Sequence, residues 1–256
     1  MNLFHPHRIV GCLFLLAFVA SPAFAQLDAP FQAHGGLAKW QSYGSIEFDQ
    51  TWASAKGVKK DHQLLHSREG LITSDAYTLG ASHGEVWIKP ALDALGGTPP
   101  RFYMWTPFYF FGMPFVFADP GTVQESLGKK MFQGQEFDAV KVTFKKGTGD
   151  SSDDFYTAYV DPKPGQLKLV SYVVTFAALR KDKPIDQLEP HALVFEEWQE
   201  AGGLRVPKRG SFYNWKNENI EGEPLGVMEF SNVNFSEKAP DPAKFAKPAD
   251  AVVAPL

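Results

Sequence analysis

Apolar and polar residues alternate with a period of two in several stretches of this chain. Between positions 45 and 52, Ile46 and Phe48 fall on one face, while Glu47 and Asp49 fall on the other. This pattern predicts a strand with one buried face. The same reasoning predicts further strands at 61–67, 71–79, 85–89, 137–144, 155–160, 167–176, 191–200, 208–215 and 226–235.

Helical patterns are scarce between these strands. One helix is predicted over 29–43, where Gly35 and Gly36 either weaken it or mark its beginning. Proline and glycine at 161–165, and the pair Gly202-Gly203, predict hairpin turns. The parity of the inward residues changes near Ser231-Asn232, which predicts a β-bulge. Strands that follow strands at short spacing favour an antiparallel sheet over a doubly wound parallel one.

The two ends of the chain differ from the part between them. Residues 1–25 have a short polar start, an apolar run and the small-x-small sequence Ala23-Phe24-Ala25, which is typical of a cleaved secretion signal. We therefore expect cleavage after Ala25 and a periplasmic protein. The sole cysteine, Cys12, would leave with the signal, so the mature protein would have no disulfide. The remainder is expected to be a single domain over 26–238, followed by a Pro/Ala-rich tail over 239–256 that lies over the surface or is loose.

The most unusual segment is 101–117, with the sequence RFYMWTPFYFFGMPFVF, in which nine of 17 residues are aromatic. Pro107 and Pro114 forbid one straight helix through the whole segment, although a short helix from about Pro107 to Gly112 is compatible with them. Each aromatic side chain buries about 150–250 Å², so the segment must lie against apolar surface. It is either ordinary core that caps a curved sheet, or the lid or wall of a cavity for an acyl chain. On the second interpretation the ligand-binding residues are Arg101, Phe102, Tyr103, Trp105, Phe108, Tyr109, Phe110, Phe111, Met113 and Phe115.

Three stretches resemble a group of uncharacterised bacterial secreted proteins. These are His34–Trp40, the Phe108–Phe115 segment running into Ala118–Thr122, and Phe137–Phe144 with the later Tyr159–Pro162. The group is similar to the superfamily of the periplasmic lipoprotein carrier LolA and its outer-membrane receptor LolB. The resemblance spans roughly 29–235 and implies a mainly β (α+β) fold, an open antiparallel half-barrel whose concave face is covered by helices. It implies binding of lipid or lipoprotein acyl chains on that face, and no individual residue role is carried over from it.

One enzyme signature is present. The run Gly80–Gly84 fits the G-x-S-x-G nucleophile elbow, and Asp161 and His191 follow Ser82 in the order of a hydrolase triad. The elbow requires a strand before it and a helix after it, whereas β-prone residues ended by a proline follow here. A glycine-rich turn between two strands is the simpler interpretation, so we expect no enzyme, with a Ser82-dependent hydrolase as the last alternative.

Metal and nucleic-acid binding receive little support. His62 and His66 are four residues apart, a spacing that brings ligands together on a helix but leaves them about 13 Å apart on a strand. The formal net charge is −4, and it becomes more negative once Arg8 is removed. No attraction to nucleic acid follows from that balance. We expect neither a metal nor a cofactor.

The sequence therefore predicts a non-enzymatic binder of lipid or acylated lipoprotein. It is expected to be a monomer that does not span the membrane. A protein-interaction or scaffold domain of the envelope, with no ligand cavity and with a transient protein partner, is the alternative.

Overall fold

The computed structural model describes residues 26–256, so the predicted signal segment lies outside the described residues. Thirteen antiparallel strands form one sheet that does not close into a barrel. Its order is β13-β5-β4-β3-β2-β1-β12-β11-β10-β9-β8-β7-β6. The predicted mainly β, antiparallel architecture with a few helices is confirmed.

The strands are β1 (Ser45–Ser54), β2 (Gly57–His66), β3 (Glu69–Thr73), β4 (Thr78–Ser82), β5 (Glu85–Lys89), β6 (Thr122–Phe132), β7 (Gln135–Phe144), β8 (Phe155–Val160), β9 (Leu167–Val173), β10 (His191–Ala201), β11 (Leu204–Lys216), β12 (Asn219–Ser236) and β13 (Val252–Val253). The helices are α1 (Asp28–Ala33), α2 (Leu37–Gln41), α3 (Pro100–Phe111) and α4 (Ala177–Arg180). Short 3-10 turns occur at Phe115–Ala118, Ile185–Gln187 and Pro242–Phe245.

One predicted strand needs correction, and one strand was not predicted. The strand expected over 71–79 is a hairpin, β3 followed by β4, because the Ser74 hydroxyl accepts hydrogen bonds from the backbone N–H groups of Ala76 and Tyr77 and so closes a turn. Strand β6 was not predicted at all. It lies at an edge of the sheet, and most of its residues are exposed, so its sequence carries no alternation of buried and exposed positions.

The predicted bulge in β12 is confirmed. Glu47 pairs with Asn234 and Asp49 with Ser231, so two residues of β12 stand opposite the single residue Phe48. Asn232 adopts a positive φ of 51° there, a conformation that asparagine tolerates better than most residues.

The helix predicted over 29–43 is two short helices, α1 and α2. The chain between them passes through Gly35 and Gly36, whose φ angles are 104° and 98°. A side chain at Gly35 would place its Cβ 2.7 Å from the carbonyl oxygen of Gly203, so the backbone here approaches the β10–β11 turn closely. Only glycine suits both the conformation and the contact.

His34, just before these glycines, ties the N-terminal segment to the sheet. The ring is fully buried, its Nδ1 lies 2.9 Å from the carbonyl oxygen of Arg205, and its Nε2 accepts a hydrogen bond from the backbone N–H of Leu167 at 3.2 Å. Because a carbonyl can only accept and an amide N–H can only donate, the ring must be neutral with its proton on Nδ1. Burial is the largest cause that lowers the pKa of His34 from 6.5 to about 4.

We expect this histidine to make the protein less stable in mild acid. Between pH 6.5 and pH 4 the unfolded chain takes up a proton that the folded chain does not, so stability is lost as the pH falls through this window. The loss would be about 3 kcal/mol in the free energy of unfolding, measured by urea denaturation across the window. His34→Gln cannot titrate and should flatten this part of the profile; an unchanged slope in that variant would contradict the assignment.

The concave face of the sheet carries the main core. Inward residues from β1, β7–β12 and the segment 110–117 form one continuous apolar cluster, which includes Phe48, Val142, Val170, Phe195 and Phe230. A second cluster, between β3–β5, the N-terminal half of α3 and the tail, includes Ile72, Leu79, Ile88, Leu95 and Met104. The aromatic segment therefore covers one face of the sheet and separates that face from solvent.

A smaller cluster lies on the opposite, outer face. The tips of the β6–β7 and β11–β12 hairpins meet there, with the rings of Phe132 and Trp215 5.9 Å apart and an ion pair between Lys130 and Glu218. The β6–β7 hairpin stands at an edge of the sheet, whereas β11 and β12 lie in its middle. Together the two tips cover Tyr159 and Leu169, whose side chains point away from the main core.

The tail beyond residue 238 packs onto the far edge of the sheet. Phe245 is fully buried, and the indole of Trp87 donates a hydrogen bond to its carbonyl oxygen at 3.3 Å. Val252 and Val253 then pair with β5 as the last strand. None of the helices in residues 26–256 has the length and apolar character needed to cross a bilayer.

Candidate functional site

Helix α3 carries most of the aromatic segment and begins seven residues earlier than predicted. Pro107 lies inside it, where the absence of a backbone N–H and the ring clash cost about 3 kcal/mol. Two features offset this cost: Pro100 occupies the first turn, where proline is well suited, and the helix buries large side chains against the sheet. The expected end near Gly112 is confirmed, since the helix stops at Phe111.

The C-terminal part of the segment is packed as core. Phe111 is fully buried, with its ring 4.3 Å from that of Phe48 and 5.2 Å from that of Phe230. Phe110 lies between Tyr172 and Phe212 at centroid distances of 5.2 and 5.1 Å. Met113, Phe115, Val116 and Phe117 are also buried.

The other aromatic residues of α3 are only partly buried. Phe102 lies 5.6 Å from Phe176, and Phe108 is stacked 6.1 Å from Trp40. Trp105 bridges the main core and the cluster beneath the N-terminal half of the helix. Phe102, Trp105 and Phe108 form a half-covered aromatic strip along α3.

A glycine of β3 allows this helix to lie so close to the sheet. A Cβ at Gly70 would lie 2.4 Å from the terminal methyl of Met104 and 3.7 Å from the ring of Trp105. Because Gly70 has no side chain, the Met104 side chain of the helix occupies the space above it.

Arg101 is engaged in an ion pair. Its Nε and Nη2 donate to the two carboxylate oxygens of Asp150 at 2.9 and 3.1 Å, and Nη1 donates to the carbonyl oxygen of Gly84 at 3.3 Å. This bidentate pair ties the first turn of α3 to the loop before β8. A contact between Arg101 and a ligand head group would require the pair to open.

A buried carboxylate lies beneath Tyr103. Asp61 is 6% exposed, and its Oδ2 accepts hydrogen bonds from the hydroxyls of Tyr77 at 2.8 Å and Tyr103 at 2.6 Å. Its Oδ1 accepts from the Gln63 amide at 2.9 Å, and the same amide donates to Gln50 at 3.0 Å. Burial, and after it the charge of Asp61, raises the pKa of both tyrosines, so both remain hydrogen-bond donors.

This network was not predicted from the sequence. Its signal was nevertheless present, because Asp61 and Gln63 have the same parity as the inward residue Leu65 of β2. A carboxylate at an inward position of a strand requires polar partners from elsewhere in the chain.

Three buried side-chain atoms of the described residues have no hydrogen-bond partner: Gln63 Oε1, Tyr109 Oη and His191 Nδ1. Each belongs to a side chain on the concave side. Gln63 has the parity of Leu65, His191 has the parity of Leu193 and Phe195, and Tyr109 descends from α3 towards Tyr156. Buried polar atoms in folded proteins nearly always have a partner, either another protein group or ordered water, so each of these three atoms can make one further hydrogen bond.

The residues of the hydrolase signature are not brought together. Ser82 lies at the end of β4, where its hydroxyl donates to Glu69 at 2.7 Å. His191 opens β10, six strands away in the sheet, and Asp161 follows β8, where it accepts from the backbone N–H of Lys163. The glycine-rich turn between two strands, β4 and β5, is confirmed.

His62 and His66 both lie on strand β2, as predicted, and their rings have separate partners. His62 Nδ1 lies 2.8 Å from Asp49, whereas His66 contacts the carbonyl oxygen of Gly44. Within residues 26–256 no group of three or more histidine, cysteine or acidic side chains is arranged to hold a metal ion.

One family model matches part of the chain, and no role is assigned to that family. A model described as a family of unknown function, DUF6503, matches residues 101–215, the part that runs from the aromatic helix to the end of β11. No curated protein sequence matches the chain significantly.

Solved structures give the fold. A LolA superfamily protein from Nitrosomonas europaea is 9% identical with a TM-score of 0.53, and the match covers 88% of this chain and 99% of that one. A DUF1329 family protein from Desulfovibrio piger is 13% identical with a TM-score of 0.48, and the match covers 85% of this chain and 99% of that one. An outer-membrane lipoprotein-sorting protein domain from Vibrio parahaemolyticus is 11% identical with a TM-score of 0.45, and the match covers 84% of this chain and 96% of that one. The LolA-like resemblance expected from the sequence is confirmed for the fold, which the first of these matches shows.

Proposed function

We propose that this protein binds lipid or lipoprotein acyl chains in the periplasm, between the concave face of the sheet and the aromatic segment, without catalysing a reaction. The observation that carries the proposal is the concave face itself, which is lined by aromatic and aliphatic side chains and also holds three separate buried polar atoms without a partner. Such a face combines apolar area with a few polar contacts, as ligand sites do.

The half-covered strip on α3 supplies the accessible part of the proposed site. Phe102, Trp105 and Phe108 are less deeply buried than Phe110 and Phe111, so an acyl chain that lies along the strip covers apolar surface that the protein itself leaves partly exposed. An acyl chain that enters there would be sheltered from water, with about 0.8 kcal/mol gained per buried methylene.

An envelope interaction domain with a dry interior is the second candidate. Phe110, Phe111, Phe115 and Phe117 are at most 5% exposed and fill the middle of the concave face with the protein's own side chains. On this interpretation the aromatic segment is core and binds no ligand.

The test is to recover the full chain, expressed with its own first 25 residues, from the periplasm without detergent and to record its native mass. A mature mass that includes a stoichiometric, organically extractable lipid is the expected result. A protein that is apo and takes up neither a fatty-acyl probe nor an acylated peptide would favour the dry interior and contradict the proposal.

A pair of tryptophan variants separates binding from folding. Trp105→Ala should weaken acyl-probe binding roughly tenfold, because an indole contributes about 1.5–3 kcal/mol of apolar contact. Trp215→Ala, which removes an indole from the outer face, is the matched control and should leave probe binding unchanged. Equal weakening in both variants would show only a general loss of folding.

A further inference from the structure

Four rings form a continuous row across one end of the concave face. Tyr156, Tyr172 and His191 are register partners on the neighbouring strands β8, β9 and β10, with centroid distances of 5.9 and 6.0 Å between successive rings. Tyr109 adds the fourth ring from α3, 5.4 Å from Tyr156. We refer to these residues as the tyrosine–histidine row.

The row is uncharged at neutral pH. Burial is the largest cause that raises the pKa of Tyr109, Tyr156 and Tyr172, so their hydroxyls keep their protons and remain donors. Burial also lowers the pKa of His191, so its ring is neutral. Two atoms of the row, Tyr109 Oη and His191 Nδ1, are buried without a partner.

The fixed charges beside the row are mainly negative. Asp119 and Asp154 both act on Tyr109 and raise its pKa further, and Glu189 acts on His191. Asp154 is held in place by the backbone N–H and the hydroxyl of Thr175, at 2.6 and 2.7 Å.

Two arginines of this region already act on carboxylates. Arg101 is paired with Asp150, and Arg68 acts on Asp119. An anionic group at the row would therefore lose its water, meet carboxylates and find only neutral donors.

We propose that the tyrosine–histidine row binds the polar end of the acyl-chain ligand and selects an uncharged acyl ester over a carboxylate or a phosphate. The inference rests on the proposed function and adds the chemical class of the head group. An ester carbonyl accepts a hydrogen bond from a tyrosine hydroxyl and carries no charge to desolvate, so it suits the orphaned Tyr109 Oη. The ester can belong to a free acylglycerol or to the acylglyceryl group at the N-terminus of a lipoprotein.

The test compares two probes with the same acyl chain, monolauroylglycerol and laurate, at pH 8 and below their aggregation limits. Binding is followed through tryptophan fluorescence of the mature protein. The wild type should bind the ester at least tenfold more tightly than the anion. Tyr109→Phe, which removes one oxygen atom, should reduce the affinity for the ester about fivefold and leave laurate unchanged. Tyr213→Phe, on the outer face, is the control and should alter neither.

The outcomes separate this inference from the proposed function. If both probes bind equally, or if Tyr109→Phe keeps the preference, the head-group assignment is wrong while acyl-chain binding stands. If neither probe binds, both proposals are wrong. Once ester binding is found, a competition experiment identifies the source of the ester. Displacement of monolauroylglycerol by a diacylglyceryl lipopeptide assigns the ester to a lipoprotein, whereas displacement by free diacylglycerol but not by the lipopeptide assigns it to an acylglycerol. Either result supports the selection of an uncharged ester.

Discussion

Replacing Phe111 with alanine is expected to lower the free energy of unfolding by about 4 kcal/mol. The ring is fully buried between Phe48 and Phe230, at the point where helix α3 meets the centre of the concave face. Its removal leaves a cavity that rigid sheet residues cannot fill, so the lost apolar transfer and the cavity both contribute. Urea denaturation followed by circular dichroism measures the change.

Phe102→Ala is the matched control for this variant. It removes the same ring from the same helix, but at a partly exposed position where Phe176 is its one close aromatic neighbour. A loss well below that of Phe111→Ala is expected. Equal losses would mean that Phe102 is packed as tightly as Phe111, which would contradict a half-covered aromatic strip.

The second large effect is expected at Asp61. Asp61→Ala removes the acceptor of three buried hydrogen bonds, two from tyrosine hydroxyls and one from the Gln63 amide. Each unsatisfied donor costs about 1–3 kcal/mol. We therefore expect the free energy of unfolding to fall by about 3 kcal/mol or more, even though the variant no longer has the cost of burying a carboxylate.

A double-mutant cycle shows whether the loss comes from the network. Tyr103→Phe should be clearly destabilising in the wild type, where the hydroxyl has a partner 2.6 Å away, and nearly neutral in the Asp61→Ala background, where it has lost that acceptor. Additive effects would show that the two side chains act independently, and the buried network would not then explain the stability of this region.

Much of the sheet could be predicted because its signal is local. Strands β1 and β7 alternate apolar and polar residues, whereas β5, β8 and β10 are β-prone runs. The predicted bounds of all five agree with the structure within a few residues. The bulge at Asn232 was found in the same way, from a change of parity. Strand β6 was not predicted because an exposed edge strand has no buried face and so lacks an alternating pattern. The β3–β4 hairpin was predicted as one strand because the turn inside it is closed by a single serine hydroxyl.

The aromatic helix shows where local rules are overridden. Pro107 argues against a helix through its position, yet the helix continues because the tertiary contacts of Phe110 and Phe111 outweigh one missing hydrogen bond. The division of the ten predicted binding residues into buried core and a half-covered strip likewise depends on which side of the helix meets the sheet. That choice is made by residues far away in the chain, such as Gly70 and Phe230.

By itself, the sequence determined that this chain folds as an antiparallel sheet and that residues 101–117 must be buried, because periodicity and apolar area are properties of neighbouring residues. Only the tertiary structure decided which polar groups meet. Asp61 joins Tyr77 and Tyr103 across 16 and 42 positions, and the tyrosine–histidine row unites one helix and three strands. Such constellations depend on strand register and on the curvature of the whole sheet, and no local pattern encodes either of them.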